Sequence, residues 1–174
     1  MESSPTLLDP SAVAQGLGRN LPLFRGMLRG LSDEDLRWKS TPGKWSLLEC
    51  LHHMLDEERH DFCARAQLLL ADDPWPSIDP EGWVESRSYN AQDPTTILQE
   101  FEAQRMVSIE WLKSLESIDL NVAREHAQLG VLHVGDFLCS WLAHDFQHLS
   151  QMARQRVQLI QAKALPYGIS YTGA

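Results

Sequence analysis

The chain has 174 residues, of which 43% are hydrophobic and 22% charged, a composition typical of one globular domain and not of a disordered chain. A net charge of −9 argues against a general nucleic-acid-binding protein, which needs a basic surface. No apolar run approaches the roughly 20 residues of a membrane span, so no membrane partner is expected.

The start of the chain and its cysteines favour a cytoplasmic location. MESSPTLLDP has neither the basic start nor the apolar run of a secretory signal. Cys50, Cys63 and Cys139 lie inside predicted helices and form no CxxC pair, so we interpret them as buried thiols in a reducing compartment. Cys50 and Cys139 are expected to be inert.

The first two long helices are predicted from apolar spacing and from their ends. The first is predicted from about residue 11 to 31, and Pro22 is expected to kink or split it. A short helical turn follows over 32–36. The second begins at a capping box, Ser46 with Glu49 three residues later, and is predicted to continue to about residue 71.

A proline-rich loop, residues 72–83, separates these helices from two more. The third helix is predicted to begin at Asp93-Pro94 and to end near residue 117. After a loop through residue 130, the fourth is predicted over about 134–162. The pattern predicts a single all-α domain, 1–174, in which a four-helix bundle with a core of about 11–162 has a long loop between its second and third helices.

Two histidines one helical turn apart lie on the fourth predicted helix. His144 and His148 share one helix face, so both imidazoles can reach one metal ion. The second predicted helix offers His52 and His53, which flank its apolar stripe on opposite sides, and helical periodicity does not choose between them. The alternative is that all of these histidines are surface or capping residues.

Several motifs resemble those of the DinB/YfiT-like superfamily of metal-binding bundles. Trp45-Ser46-x-x-Glu49-x-x-x-His53, followed by Asp56 and Glu58, is similar to its second-helix signature. HDFQHLSQ, residues 144–151, resembles its H-[DE]-x-x-H-x-x-Q signature, and WVESRSYNAQDPTTILQEFEAQR resembles the loop and third helix between them. The motifs occur in the expected order and cover nearly the whole chain.

The resemblance implies a divalent metal, zinc or nickel, bound by His53, His144 and His148, with His52 pointing away. Three neutral imidazoles leave coordination positions open for water or a substrate, as in catalytic sites. Activities known in the superfamily include transferases of low-molecular-weight thiols and a mycothiol-dependent isomerase. The implied protein is therefore a metal-dependent transferase or hydrolase that acts on a small molecule, with a low-molecular-weight thiol as a further cofactor.

The residues near these histidines suggest a substrate pocket. Trp83, Tyr89, Trp141 and Gln151 are the candidate substrate-binding residues; the alternative is that the aromatic side chains only close one end of the bundle. Glu57, four residues after His53, is either a ligand or base at the metal or a solvated surface residue.

Two functions remain open on the sequence alone. The first is the enzyme, whose anionic thiol would need a cation from Arg87 or Arg105. The second is a non-catalytic metal-binding or stress-response module. An open cleft beside the metal favours the enzyme, and a plugged site favours the module. A homodimer is compatible with either function.

Overall fold

The computed structural model describes residues 9–115, 117–126 and 129–172. Four long helical segments run through it, and short helices and one hairpin connect them. In chain order the elements are α1 (Pro10–Leu28), α2 (Asp33–Arg37), α3 (Leu47–His60), α4 (Phe62–Leu70), α5 (Pro80–Ser86), α6 (Pro94–Ser114), β1 (Ala123–His126), β2 (Gly130–His133) and α7 (Val134–Lys163). The predicted all-α four-helix bundle is confirmed, and its only sheet within the described ranges is the hairpin β1–β2.

The bundle is formed by α1, the α3–α4 pair, α6 and α7. The helix α1 packs against α6 and α7, while α3 packs against α6 and α4 against α7. Apolar side chains fill two adjoining core regions, one around Leu17, Leu112 and Trp141 and the other around Phe24, Leu51 and Phe101. Several polar side chains of α3, α6 and α7 are buried as well, among them Glu58, Arg105 and Asp145.

Two predicted helix starts rest on local signals that the structure reproduces. Ser46 Oγ accepts the N–H of Glu49, and the Glu49 carboxylate accepts the N–H of Ser46, so α3 begins after a complete capping box. Asp93 caps α6 in the same way through the N–H of Thr96. Because each of these two caps lies within four residues, the sequence alone reveals it. At α7, His133 takes the cap position with Asp136 as its partner, and this cap was not predicted.

One prediction about helix continuity is wrong, and another is decided only in part. Pro22 is expected from the sequence to kink or split α1, and the helix is not split but continues to Leu28. The second predicted helix is instead interrupted at Asp61, whose backbone (φ −114°, ψ −103°) ends α3 and begins α4. The Asp61 N–H still donates to the Glu57 carbonyl and its carbonyl accepts from the N–H of Arg65, so the break leaves neither group unpaired.

Two connections predicted as loops contain regular structure. Within the predicted loop 72–83, a new helix α5 begins at Pro80, capped by a hydrogen bond from the Gly82 N–H to Asp79. The loop before α7 contains the antiparallel hairpin, in which Ala123 pairs with His133 and His126 with Gly130. Both elements are short and have one buried residue between them, Val84, so they carry little of the hydrophobic periodicity from which elements are predicted.

None of the helices in the described ranges is long and apolar enough to cross a membrane.

Candidate metal centre

The helix α3 is buried on nearly all of its surface. Every residue from Leu47 to Glu58 is buried, six of them polar or charged: Glu49, His52, His53, Asp56, Glu57 and Glu58. The bundle covers one side of α3, and α5 and the turn at Tyr89 cover another. This tertiary cover explains why a helical wheel, which places His52 and His53 on solvated flanks, does not describe their environment.

His53, His144 and His148 converge on one point between α3 and α7. One potential ligand atom of each lies within 4.8 Å of those of the other two. The Nε2 atoms of His53 and His144 are 3.3 Å apart. The ring centroids of His53 and His148 are 4.6 Å apart, and those of His144 and His148 are 4.4 Å apart. The structure therefore brings together the three histidines that the resemblance implies.

The donor set fits a divalent ion such as zinc. Two imidazole nitrogens bound to one zinc ion in tetrahedral geometry lie about 3.3–3.4 Å apart, the separation seen between His53 and His144. Burial, together with the neighbouring His148, lowers the pKa of His53 to about 3, so its imidazole is neutral at pH 7. Burial and the other two histidines lower the pKa of His144 as well. Neutral imidazole is the form that binds a metal ion.

His52 lies outside this cluster although it is adjacent to His53. Its ring stacks on Tyr89 with centroids 4.0 Å apart, and the Tyr89 hydroxyl donates to Asp56 at 2.6 Å. Arg87 binds the same Asp56 oxygen at 2.6 Å. Asp56 therefore fastens the Arg87–Tyr89 turn to α3, with His52 beneath it.

The aromatic walls of the centre are Trp45 and Phe62, neither of which is among the candidate substrate-binding residues. Trp45 lies parallel to His148 with ring centroids 6.2 Å apart, and its centroid is 4.9 Å from that of His53. Phe62 covers the other side, 5.0 Å from His144. Trp45 immediately precedes the capping box of α3, and this position in the sequence could have indicated that its side chain lies beside the first turn of that helix.

An open cleft of about 580 Å³ reaches two of the histidines. Its lining comes from the segment before α3, from α3 itself, from the start of α5 and from α7: Gly43, Lys44, Trp45, His53, Glu57, Pro80, Glu81, His148 and Gln151. Of the predicted substrate-binding residues, Gln151 lines this cleft. Glu57 is buried on the cleft side of α3, and one carboxylate oxygen lies 4.0 Å from Nδ1 of His53.

Glu57 is not the solvated residue of the alternative interpretation. Its Oε1 atom is buried and has no hydrogen-bond partner in the described part of the chain. Burial, followed by the neighbouring Asp61, raises the pKa of this carboxyl to about 8. Such a group can exchange a proton with a bound molecule near neutral pH.

The other three predicted substrate-binding residues do not line the cleft. Trp141 is fully buried and donates its indole N–H to Glu58 at 3.0 Å, because α7 turns this side chain into the bundle. Tyr89 is fully buried against His52. Trp83 instead contacts His60 and Arg87. Its helix α5 does border the cleft, but through Pro80 and Glu81.

Arg105 is the centre of a buried ionic network that links all four long helices. Its guanidinium binds both oxygens of Asp145, at 2.7 and 2.9 Å, and lies 2.9 Å from Glu58. Asn20 of α1 donates to Asp145 at 2.9 Å, and Trp141 donates to Glu58. Arg105 is therefore not available to an anionic thiol, contrary to the sequence-based expectation, and Arg87 is held by Asp56.

The cysteines divide into two classes, which corrects the prediction that all three are buried. Cys50 and Cys63 are buried, and burial raises the pKa of each thiol to about 12. Cys139 is exposed on α7, because it lies on the outer face next to the fully buried Leu138.

Comparison with known proteins agrees with this architecture. The sequence profile of the DinB superfamily matches residues 17–152, which include all three histidines and every residue of the buried Arg105 network. The chain belongs to the DinB superfamily. Among curated proteins no match was found.

One solved structure with the same fold is YfiT from Bacillus subtilis, described as a probable metal-dependent hydrolase with an unusual four-helix bundle topology. The superposition has a TM-score of 0.75 and covers 89% of this chain and 90% of YfiT, at 16% sequence identity. At this identity the likeness shows a shared fold.

Proposed function

We propose that this DinB superfamily protein is a metal-dependent hydrolase of small molecules, with zinc or nickel held by His53, His144 and His148. One observation carries the proposal: three neutral histidines meet beside a cleft of about 580 Å³. A structural metal site is normally closed by four protein ligands, whereas three ligands beside an open cleft leave room for a reactant. The description of YfiT as a probable metal-dependent hydrolase supports the same class of reaction.

Glu57 is the residue we assign to proton transfer. A divalent ion bound by the histidines would supply Lewis acidity, which polarises a carbonyl and lowers the pKa of water. Glu57, on the cleft lining, is placed to accept the proton of the water that attacks the substrate carbonyl, and to return that proton to the leaving group. Gln151 lies on the same lining and offers an amide that can orient the substrate.

Transfer of a thiol is the related reaction that the family resemblance implies. The thiol would then replace water as the nucleophile at the same centre. The non-catalytic module is disfavoured by the open cleft, which a plugged site would lack. A cytoplasmic location, a homodimer and the lack of a nucleic-acid partner stay predictions from the sequence.

Two measurements test the proposal. Metal analysis of the purified protein should find about one zinc or nickel ion per chain, lost in His148→Ala and kept in the control His60→Ala. Hydrolysis of a panel of small esters and amides, with and without a low-molecular-weight thiol, should be metal-dependent. Glu57→Gln should keep the metal and lower the rate by about 10²- to 10⁴-fold.

The outcomes separate the candidate functions. A rate that requires the thiol would replace the hydrolase by a transferase. A protein that binds the metal but turns over no ester, amide or thiol adduct would favour the module, and wild-type protein without bound metal would contradict the site itself.

A further inference from the structure

A polar stripe continues along α7 beyond the two histidines. His144, His148, Gln151, Gln155 and Gln158 are spaced alternately four and three residues apart, which places them on one helix face. In a bundle helix this spacing usually carries apolar core residues. Here Gln151 and Gln155 are half-buried and Gln158 is exposed, so the stripe leads from the histidine cluster to the surface.

The stripe forms the floor of a groove that extends the cleft. A second pocket of about 280 Å³ shares Lys44, Trp45 and Gln151 with the cleft and continues along α7 past Arg154. Gln155 fixes the wall between the two by donating to the Trp45 carbonyl at 2.6 Å. From His148 to Arg154 the helix rises about 9 Å, a distance that one small molecule can span.

The part of the groove beyond Trp45 is lined by two cations and by no carboxylate. These cations are Lys44, which also lines the cleft at the histidine end beside Glu81, and Arg154. Within the described residues neither cation forms an ion pair with a carboxylate; Arg154 donates only to Ser150 of its own helix, at 2.7 Å. In a chain with a net charge of −9, two cations without acidic partners beside the cleft are available to a bound anion.

We propose that this groove selects substrates with a carboxylate about 9 Å from the bond that is cleaved. Lys44 and Arg154 bind the carboxylate, the amides of Gln151 and Gln158 donate hydrogen bonds along the chain of the molecule, and Trp45 packs against its apolar part. The assignment of the cleaved bond to the histidine end rests on the proposed function. The binding of the carboxylate by Lys44 and Arg154 is independent of that function, because it involves neither the three histidines nor Glu57.

The test uses two probes that differ only in terminal charge, 6-acetamidohexanoate and its neutral amide, 6-acetamidohexanamide. Each is titrated into zinc-free and zinc-loaded protein while the side-chain amide resonances of Gln151 and Gln158 are followed by NMR. We expect the carboxylate to bind at least tenfold more tightly in both forms. The double variant Lys44→Gln/Arg154→Gln should bind both probes equally, whereas the control Arg19→Gln, at an exposed position of α1, should keep the preference.

The result can fail separately from the proposed function. Equal dissociation constants for the two probes, no binding of either one, or a preference that survives in the double variant would overturn the groove assignment. A preserved preference in a protein that neither binds zinc nor hydrolyses amides would leave the anion-binding groove standing and contradict the hydrolase.

Discussion

Replacing Arg105 by Met removes the only cation from the buried network described above. Met keeps much of the side-chain volume, so the main change is electrostatic. Glu58 and Asp145 have side chains 1% and 0% exposed, and both are left in the interior without the guanidinium that binds them now. Asn20 and Trp141 still donate one hydrogen bond to each carboxylate, but neither neutralises its charge.

The expected loss of stability follows from the protonation that this change forces. Two buried carboxylates without a cation cannot both stay ionised, so the folded variant must take up at least one proton. Protonating a carboxyl with an ordinary pKa of about 3.9 at pH 7 costs about 4 kcal/mol, which agrees with the roughly 3–5 kcal/mol lost when a buried ion pair is broken. The folded variant then binds more protons than its unfolded state, so acid reduces the loss, to about 1.5 kcal/mol at pH 5.

Urea denaturation of metal-free wild type and Arg105→Met at both pH values measures this difference. We expect the variant to unfold at lower urea at pH 7, with a destabilisation that shrinks by about 2–3 kcal/mol at pH 5. Arg19→Met, at an exposed position of α1, is the matched control and should change stability by less than about 0.5 kcal/mol. A loss below about 1 kcal/mol at pH 7, or one that is the same at pH 5, would refute the reasoning.

Three further results are expected. Native protein should react with a thiol reagent at pH 8 through Cys139 alone, and raising the pH to 9 should speed that reaction. Cys50 and Cys63 should stay protected, because only about 0.1% of each is thiolate at pH 9. Labelling of all three cysteines without denaturant would contradict the burial of Cys50 and Cys63. Ser46→Ala should destabilise the fold by about 1–2 kcal/mol in urea, because the hydroxyl caps α3 and also binds Asn90, and an unchanged midpoint would show that the cap contributes nothing. Zinc at 100 times its dissociation constant should add about 2.7 kcal/mol to wild-type stability and nothing to His148→Ala, and calorimetry that shows equal stabilisation of both proteins would place zinc elsewhere.

The parts of the fold that the sequence predicts are those with local causes. The starts of α3 and α6 follow from Ser46 with Glu49 and from Asp93 with Pro94, each a contact within three residues. The pair His144 and His148 likewise follows from helical spacing alone. The choice of His53 over His52 came from the family resemblance, because the residue that stacks on His52 is Tyr89, far along the chain.

The parts that the sequence did not reveal depend on contacts between distant segments. No proline or glycine at Asp61 indicates the break after α3. Trp141 was predicted to lie near the histidines, whereas its indole binds Glu58 inside the bundle. Arg105 was likewise predicted to be a free cation, because the carboxylates that bind it are 40 or more residues away in the sequence. Burial of polar groups is decided by which helices cover them, and periodicity within one helix carries no such information.

The Arg105 network is best explained by its position relative to the histidines. Glu58 follows His53 by five residues on α3 and Asp145 directly follows His144 on α7, so one guanidinium bridges the two helices beside the candidate metal ligands. A buried ion triad is often no more stable than a well-packed apolar one, so we infer that this network serves to fix the register of the two helices. We therefore expect the triple variant Glu58→Leu/Arg105→Met/Asp145→Leu to recover part of the stability that Arg105→Met alone loses, because it removes two buried charges but leaves the Asn20 and Trp141 donors without acceptors. It should also bind zinc about 10- to 100-fold more weakly, as when groups supporting metal ligands are removed. Zinc titration of the folded triple variant measures this effect, and an unchanged affinity would mean that the network stabilises the bundle without positioning the histidines.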